Sequence, residues 1–502
     1  MSNGTLILTY RYRLNPEARQ HRALERILEQ QRQLYNAALE ERILAWAKGR
    51  SISEVDQSRA LTQIRADDPA FAGVQRRIQR ATLKRLDRSY KAFFRRAKAG
   101  AGASSGFPKF KGREHFDGFA FDAFAQITLS EPGPRWGLAG TDETGMRPQR
   151  SRTQRLRFAG MPGGLRVFID RPLPSVADPE TGELRTVIKG VWFKRDGARW
   201  YVGFQVQVPV RADRAGLGGG EIGVDWGTSV LAALSTGETV ANPCHGEALQ
   251  GDLTRAQRAV ARKKKGSRSR RKARRHLQAV QRRIASRRRT AMDKLSKRLV
   301  THWRLVATEK IAAKSLIDAE RPGETLPEFV KTRRNRELAD AAPFQLRQMI
   351  AYKARLMRAE VVEIDPAAKL ADGTRAQPTQ RCSMCGRLHF KELTEDHVCT
   401  TPGPHLGMRL ARKVNAARVV LSLAREGYGN SSLAEDHGGG PVPGGLDGGS
   451  DAGAARNVRD GARRLGNTEG ERSPTGRRPE RDPFMLDARR RMRARFRRVS
   501  GW

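Results

Sequence analysis

Two acids and a cysteine cluster are the residues of this chain most able to do chemistry. Asp225 closes the apolar run Glu221-Ile222-Gly223-Val224-Asp225-Trp226-Gly227-Thr228-Ser229, and Glu309 closes a second, Arg304-Leu305-Val306-Ala307-Thr308-Glu309. A carboxylate at the end of a buried strand is costly unless a positive charge meets it, and a divalent cation is one such partner. Sites that bind divalent cations for phosphate chemistry present their acids in this way. A strand-capping Asp in any α/β domain would read the same over Asp225 alone. The cysteines suggest softer chemistry. Cys382 and Cys385 form a C-x-x-C knuckle, with Gly386 letting the loop turn back, and Cys399 follows. Thiolates at this spacing suit zinc. The second half holds only one cysteine, so a histidine is expected to complete the tetrahedron. His405, six residues past Cys399, is the expected fourth ligand, and His389 and His397 compete with it. His397, two residues from Cys399, has an awkward reach.

These groups need elements to position them. Val230 to Leu234 reads as a second strand after the glycine turn, and Val361-Val362-Glu363-Ile364-Asp365-Pro366 as another. A helix from about Arg409 to Arg425 follows the cysteines. Upstream, Leu6 to Leu14 alternates as a strand. Asn15-Pro16-Glu17 supplies a cap, a first-turn proline and an acid. A helix to about Lys48 is predicted to bury Leu24, Ile27, Leu28, Leu34, Tyr35, Ala38 and Trp46. Further helices span roughly Ser53 to Ile64 and Phe71 to Lys98, the latter predicted to bury Val74, Ile78, Leu86, Tyr90, Phe93 and Phe94. Strands are expected near Phe116 to Phe124, Gly164 to Asp170 and Thr186 to Pro209, with a hairpin turning at Asp196-Gly197. Gly100 to Gly106 reads as a linker, Glu131 to Thr153 as an irregular loop and Arg321 to Glu337 as a polar loop. The stretch after Gly427 is too poor in apolar residues to offset ordering.

The charge narrows the function. Among 502 residues, 96 Lys and Arg stand against 53 Asp and Glu, an excess of 43 positive charges. Such a field attracts polyanions, of which nucleic acid is the commonest. No run of about 18 apolar residues and no signal peptide is visible, so a soluble, cytoplasmic protein is expected. Three of the four cysteines lie within eighteen residues of one another, which favours a metal site in a reducing compartment over disulfides; Cys244 reads as structural. Between Arg262 and Arg289 lie fifteen Lys or Arg and no acid, yet Leu277, Val280 and Ile284 still mark an apolar seam. A packed basic helical hairpin is expected, with Lys263, Lys264, Lys265, Arg270, Arg271, Arg274 and Arg275 facing a polyphosphate. Arg76, Arg77, Arg80 and Lys84, with few acids nearby, and Lys109 and Lys111 are further candidates for phosphate contact.

In this order, the strand ending in Asp225, the strand ending in Glu309 and the cysteine cluster leading into Lys413-Val414-Asn415-Ala416-Ala417 resemble the TnpB proteins of insertion sequences and the related compact type V CRISPR effectors. The likeness runs from Leu6 to about Gly427. Leu34-Tyr35-Asn36-Ala37-Ala38-Leu39, Phe107-Pro108-Lys109-Phe110-Lys111, Glu363-Ile364-Asp365-Pro366 and Cys382-Ser383-Met384-Cys385-Gly386 support it. Their order and spacing carry the match, since none is specific alone.

The resemblance implies a multidomain α+β and α/β protein. Residues 1–215 would form an N-terminal lobe, a β-barrel with a helical recognition insert at about 15–100. Residues 216–380 would form an RNase H-like RuvC domain with the basic hairpin at 253–300. A zinc-ribbon-like insert at 381–408 and a last RuvC segment at 409–427 would follow; the Gly/Arg-rich tail at 428–502 lies beyond the likeness and is expected from its composition to be disordered. The resemblance also implies a guide RNA, a double-stranded DNA target, and protein recognition of backbone shape and a short adjacent motif. Family members hold two magnesium ions on three carboxylates. Asp225 matches the first and Glu309 the second, but the third position is Lys413. An ammonium there deletes a ligand and adds a repelling charge, so cleavage is expected to be impaired unless Asp365, Glu395 or Asp396 substitutes. The expected function is RNA-guided DNA binding. The alternatives are an active magnesium-dependent endonuclease and an RNA-binding protein that targets no DNA.

Overall fold

The computed structural model describes residues 4–99, 106–113, 115–122, 127–129, 153–178, 180–227, 230–310, 337–338, 340–389 and 396–431. Thr228, Ser229, Glu395, nearly all of the 100–106 linker, the 131–153 loop and the 321–337 loop, and the tail beyond 431 lie outside them. The chain forms two compact units, one of residues 7–208, the other of residues 209 onward together with the first residues of the chain.

The first unit runs β1 (Thr5–Leu14), α1 (Ala18–Ala47), α2 (Glu54–Asp67), α3 (Pro69–Ala72) and α4 (Arg76–Lys98). It continues through β2 (Gly118–Phe121), β3 (Ile127–Leu129), β4 (Thr153–Phe158), β5 (Leu165–Phe168), β6 (Val176–Ala177), β7 (Leu184–Arg185), β8 (Ile188–Asp196) and β9 (Arg199–Pro209). Seven strands make one sheet in the order β2-β8-β9-β1-β5-β4-β3. With β2 and β3 left as edges among the described strands, the sheet is a curled half-barrel where a β-barrel was expected. Leu24, Ile27 and Leu34 of α1, Leu61 of α2 and Ile78, Leu83 and Leu86 of α4 share its core with Phe119, Phe193, Trp200 and Phe204.

Helix α1 starts later than its sequence cap. Asn15 still donates its amide to the Arg166 carbonyl of β5 at 2.9 Å, so it belongs to the sheet. Glu17 caps instead, in a box with Gln20 whose Oε1 accepts from the Glu17 amide at 3.0 Å. The predicted 71–98 helix is two helices, because Gly73 to Gln75 interrupt it. Two expected core residues are exposed, Trp46 at 74% and Phe94 at 57%, each in the last turns of its helix. The β8–β9 hairpin forms as expected, with Asp196 opposite Arg199 and Gly197 at a φ of 62°.

The second unit contains β10 (Gly220–Trp226), β11 (Val230–Leu234), β12 (Thr239–Ala241), α5 (His245–Ala248), α6 (Gln250–Ala261), α7 (Arg268–His302) and β13 (Trp303–Glu309). It ends with α8 (Pro343–Met357), β14 (Glu360–Ile364), β15 (Asp396–Val398), β16 (Arg409–Ala411), α9 (Arg412–Arg425) and β17 (Asn430–Ser431). Order therefore persists into residues 428–431, where β17 pairs with β14. The six-stranded sheet runs β12-β11-β10-β13-β14-β17. Strands β10 to β12 are antiparallel neighbours, whereas β13 and β14 lie parallel to β10.

Alternation along β13 sets the layers. Val306 faces α7 and α8 with Leu299, Leu346 and Ile350, while Leu305 and Ala307 face the opposite side with Val420, Leu421 and Leu423 of α9. The Arg214 guanidinium ties several element ends together, donating to the carbonyls of Val300 (3.1 Å), Met357 (2.9 Å), Gly218 (2.8 Å) and Trp303 (3.0 Å).

Helix α9 lies so close to β10 that a Cβ on Gly223 would stand 1.9 Å from the Ala417 carbonyl oxygen. That backbone cannot yield without lifting the helix. Gly223→Ala is expected to cost about 3 kcal/mol, read as a lower unfolding midpoint in urea. Gly251→Ala, in α6 with open space around it, should instead stabilise by about 1 kcal/mol.

Candidate functional site

Register brings the acids together. Val224 pairs with Thr308 and Thr308 with Glu363, so Asp225, Glu309 and Asp365 follow one another across the C-terminal edge of β10, β13 and β14. Asp225 is buried. Desolvation pushes its carboxyl up to about 7 against the pull of Lys413 and Arg412. Glu309 is likewise raised to about 7, by burial and then by the charges of Asp225 and Asp365. Asp365 is more exposed and its carboxyl sits below the usual range, held by the Ala367 amide and by Lys310, whose Nζ is 3.0 Å away.

Lys413 lies in the first turn of α9. Its Nζ donates to the Val230 carbonyl at 3.3 Å. A Cβ on Gly227 would be 2.1 Å from that nitrogen, so the missing side chain at 227 makes the room for the ammonium. Burial lowers the Lys413 pKa and Asp225 works to raise it. Asp396, the other suggested substitute, is in β15 opposite Ala411 of β16 and is exposed.

Two acids pushed up to about 7, Asp225 buried and Glu309 half-buried, fix a pH dependence in the metal-free protein. Carboxylates in the unfolded chain titrate near 4, so between about pH 4 and 7 the folded state holds more protons than the unfolded one. Stability from this pair is therefore greatest below pH 4 and falls as pH rises toward 7. Asp225→Asn should flatten that slope, and it should raise stability at neutral pH by at most about 4 kcal/mol. Thermal melts from pH 4 to 8 read both effects.

The cysteine site differs from expectation in one ligand. The side-chain donors of Cys382, Cys385, His389 and Cys399 lie within 4.8 Å of one another and could hold a metal such as zinc. The Cys385 and Cys399 sulfurs are 3.7 Å apart, and His389 Nε2 is 3.3 Å from Cys385 Sγ. The edge of a tetrahedron of thiolates about 2.3 Å from zinc is nearly this long. His389 enters because the knuckle folds back on itself: the Cys382 amide donates to Arg387 and the His389 amide to Gln380, at 2.9 and 2.8 Å. Thr400 Oγ1, 2.6 Å from Nδ1, orients the ring so that Nε2 faces the thiols. His405 stands outside the cluster, in the turn that joins β15 to β16. His397 packs edge-on against His389 at 5.6 Å and supplies no donor to the group. The thiol of Cys385 is lowered to about 6, the hydrogen bonds of Thr401 and His389 outweighing its burial.

Asn415 links the two sites. Fully buried in α9, its side chain accepts from the Ser383 amide at 2.8 Å and donates to the Arg381 carbonyl at 2.7 Å. The knuckle is thereby clamped two residues from Lys413. The motif Val414-Asn415-Ala416-Ala417 contained this residue, but its clamp crosses more than thirty positions and leaves no local signal.

The basic candidates divide. Asp122, nearly buried and unforeseen, gathers Arg77 (3.4 Å), Arg80 (3.9 Å) and Lys84 (3.5 Å), so these three are not without an acid. Arg76 donates to Thr62 at 2.9 Å. Arg270 folds back onto the carbonyls of Val260 and Lys263 at 2.8 and 2.7 Å and closes the α6–α7 turn. Lys263, Lys264, Lys265, Arg271 and Arg275 are exposed, Arg274 less so, along a hairpin packed by Ala256, Val280 and Ile284. Lys109 is exposed, while the Lys111 backbone is held on both sides by the Asn36 side chain, at 2.8 and 3.0 Å.

Comparison with known proteins matches residues 204–320 to a family described as "Probable transposase" and residues 1–51 to one described as "Helix-turn-helix domain". In this chain the latter stretch is one strand and one thirty-residue helix. A protein of Streptomyces pristinaespiralis named "Putative RNA-guided DNA endonuclease" is 30% identical over 425 residues, covering 82% of this chain and 88% of its own length. The InsQ protein of Escherichia coli, with the same description, is 24% identical over 61% of this chain and 64% of its own length. A solved Cas12f1–sgRNA–target DNA complex aligns over 83% of this chain and 98% of its own at 12% identity, with a TM-score of 0.43, too loose to carry an argument. From the relative that matches across more than four-fifths of the sequence, and from the two family segments in their order, the chain belongs to the TnpB family.

Proposed function

We propose that this protein is an RNA-guided DNA-binding protein whose RuvC-type centre is impaired in cleavage. Its relatives' description as RNA-guided DNA endonucleases supports the guide and the DNA target. The 43-charge excess supports a nucleic-acid partner. Three antiparallel strands running on into two parallel ones, with acids at their C-terminal ends, support the RNase H-like assignment. On this reading Asp225 and Glu309 are the first two nuclease carboxylates. Zinc held by Cys382, Cys385, His389 and Cys399 stabilises the insert beside α9.

The observation that carries the loss of cleavage is Lys413, with its ammonium in the space left at Gly227 and its charge acting on Asp225. A magnesium pair does not fit this donor set. The third ligand is missing, Lys310 already engages Asp365, and a unit charge repels another by about 4 kcal/mol at 4 Å near a protein surface, twice that for a divalent ion. What remains is the capacity to hold RNA and DNA. Sequencing the RNA that copurifies with the protein, then measuring its binding to DNA matching or mismatching that RNA's variable end, tests the proposal. Match-dependent binding is expected, and equal binding to both DNAs contradicts guiding.

A further inference from the structure

We infer that Tyr90, Phe93, Phe94 and Phe107 form a stacking platform for unpaired bases of the bound RNA, an inference that rests on the RNA-binding reading above. Phe107 meets Tyr90 edge-on at 5.5 Å and Phe93 at 5.3 Å, and Phe94 adjoins both Phe93 (5.2 Å) and Tyr90 (6.2 Å). Tyr90 and Phe93 are half-buried and Tyr90 packs on the core, so they form the floor of the cluster, whereas Phe94 and Phe107 are 57% and 44% exposed and Phe110, three residues on, is 54% exposed. Aromatic rings left open to water side by side call for a cover.

The platform is rigid. Arg96 Nη2 donates to the Gly106 carbonyl at 3.2 Å, and Asn36 grips the Lys111 backbone, so both ends of the segment carrying Phe107 are tied down. Its surroundings select the occupant. Arg95, Lys98 and Lys109 are exposed around it and have no acid paired to them among the described residues. A second copy of a chain with 96 basic and 53 acidic residues would be repelled there. A nucleotide strand offers what the patch lacks: phosphates for the cations and π faces for the rings. Resident RNA, not a transient DNA target, fits a surface that would otherwise stay uncovered between targets.

The test uses the full chain and a labelled twenty-nucleotide oligo-A RNA, read by fluorescence anisotropy. Phe94→Leu keeps the apolar area and removes the aromatic face. It is expected to weaken binding about 10-fold, and Phe94→Leu with Phe107→Leu about 100-fold. The salt dependence should keep its slope, since no phosphate contact is lost. Leucine variants that bind like the wild type, or a loss accompanied by a shallower slope, overturn the platform while leaving RNA binding intact. A wild-type chain that does not bind the RNA overturns both readings. A benzophenone amino acid in place of Phe94 is expected to crosslink to RNA in cells, whereas crosslinks confined to DNA or to a second copy contradict the inference.

Discussion

Lys413→Asp is expected to bring magnesium-dependent DNA cleavage up by about 10³-fold from background. The substitution removes a repelling ammonium and restores a ligand, and about 4 kcal/mol from the two effects together corresponds to roughly three decades in rate. The shorter acid would stand in the first turn of α9, where the helix dipole favours a negative charge. It would also vacate the space beside Gly227 that now holds the Lys413 nitrogen. Lys413→Ala separates the two effects, since it removes the repulsion without restoring the ligand and should recover only part of the rate. Adding Asp225→Ala to the active variant should abolish cutting. A well-folded Lys413→Asp protein that stays inert would mean that the site has lost more than its third acid. Cutting by the unaltered protein that vanishes in Asp365→Asn would make Asp365 the substitute carboxylate.

His389→Ala is expected to weaken zinc binding by about 10²- to 10³-fold, whereas His405→Ala leaves it unchanged. A structural zinc contributes on the order of 10–16 kcal/mol to a small site, and one ligand in four carries a corresponding share. Cys399→Ser should be at least as damaging, because its sulfur is 3.7 Å from that of Cys385 in the same cluster. Zinc release to a chromogenic chelator, followed across the variants, decides between the two histidines. The reverse order, with His405 needed and His389 dispensable, would contradict the ligand set. On the proposed zinc reading, Asn415 carries the metal's effect beyond its insert: losing zinc would free the backbone that Asn415 holds at Arg381 and Ser383 and would loosen the start of α9.

The sequence alone made some of this architecture legible, for definable reasons. Asp225 and Glu309 were visible because each ends an apolar run, and the parallel pairing of those runs brings them together. The cysteine knuckle was visible because its ligands are local. Its fourth ligand was not, because spacing cannot choose between a histidine four residues after Cys385 and one six after Cys399. The hydrogen bonds that fold the knuckle back are what bring His389 to the thiols. Lys413 was conspicuous as the wrong charge, but its partner Gly227 is more than 180 positions away and shows only in three dimensions. Asp122 is likewise remote from the arginines it gathers. Periodicity marked Phe94 as apolar and helical, yet could not say which face of the last turns of α4 is left uncovered, and there an expected core residue is surface. Strand β4 escaped because Arg155 and Arg157 alternate with its buried residues and a long polar stretch precedes it.

The most direct test of guided binding without cutting puts both readouts in one tube. The protein, purified with its own RNA, is mixed with magnesium and a duplex matching that RNA, and bound and cleaved fractions are measured over the same time course. Saturable, match-dependent binding with the duplex left intact is the predicted result. Cleavage that depends on the match and disappears in Asp225→Ala would contradict the central role given to Lys413.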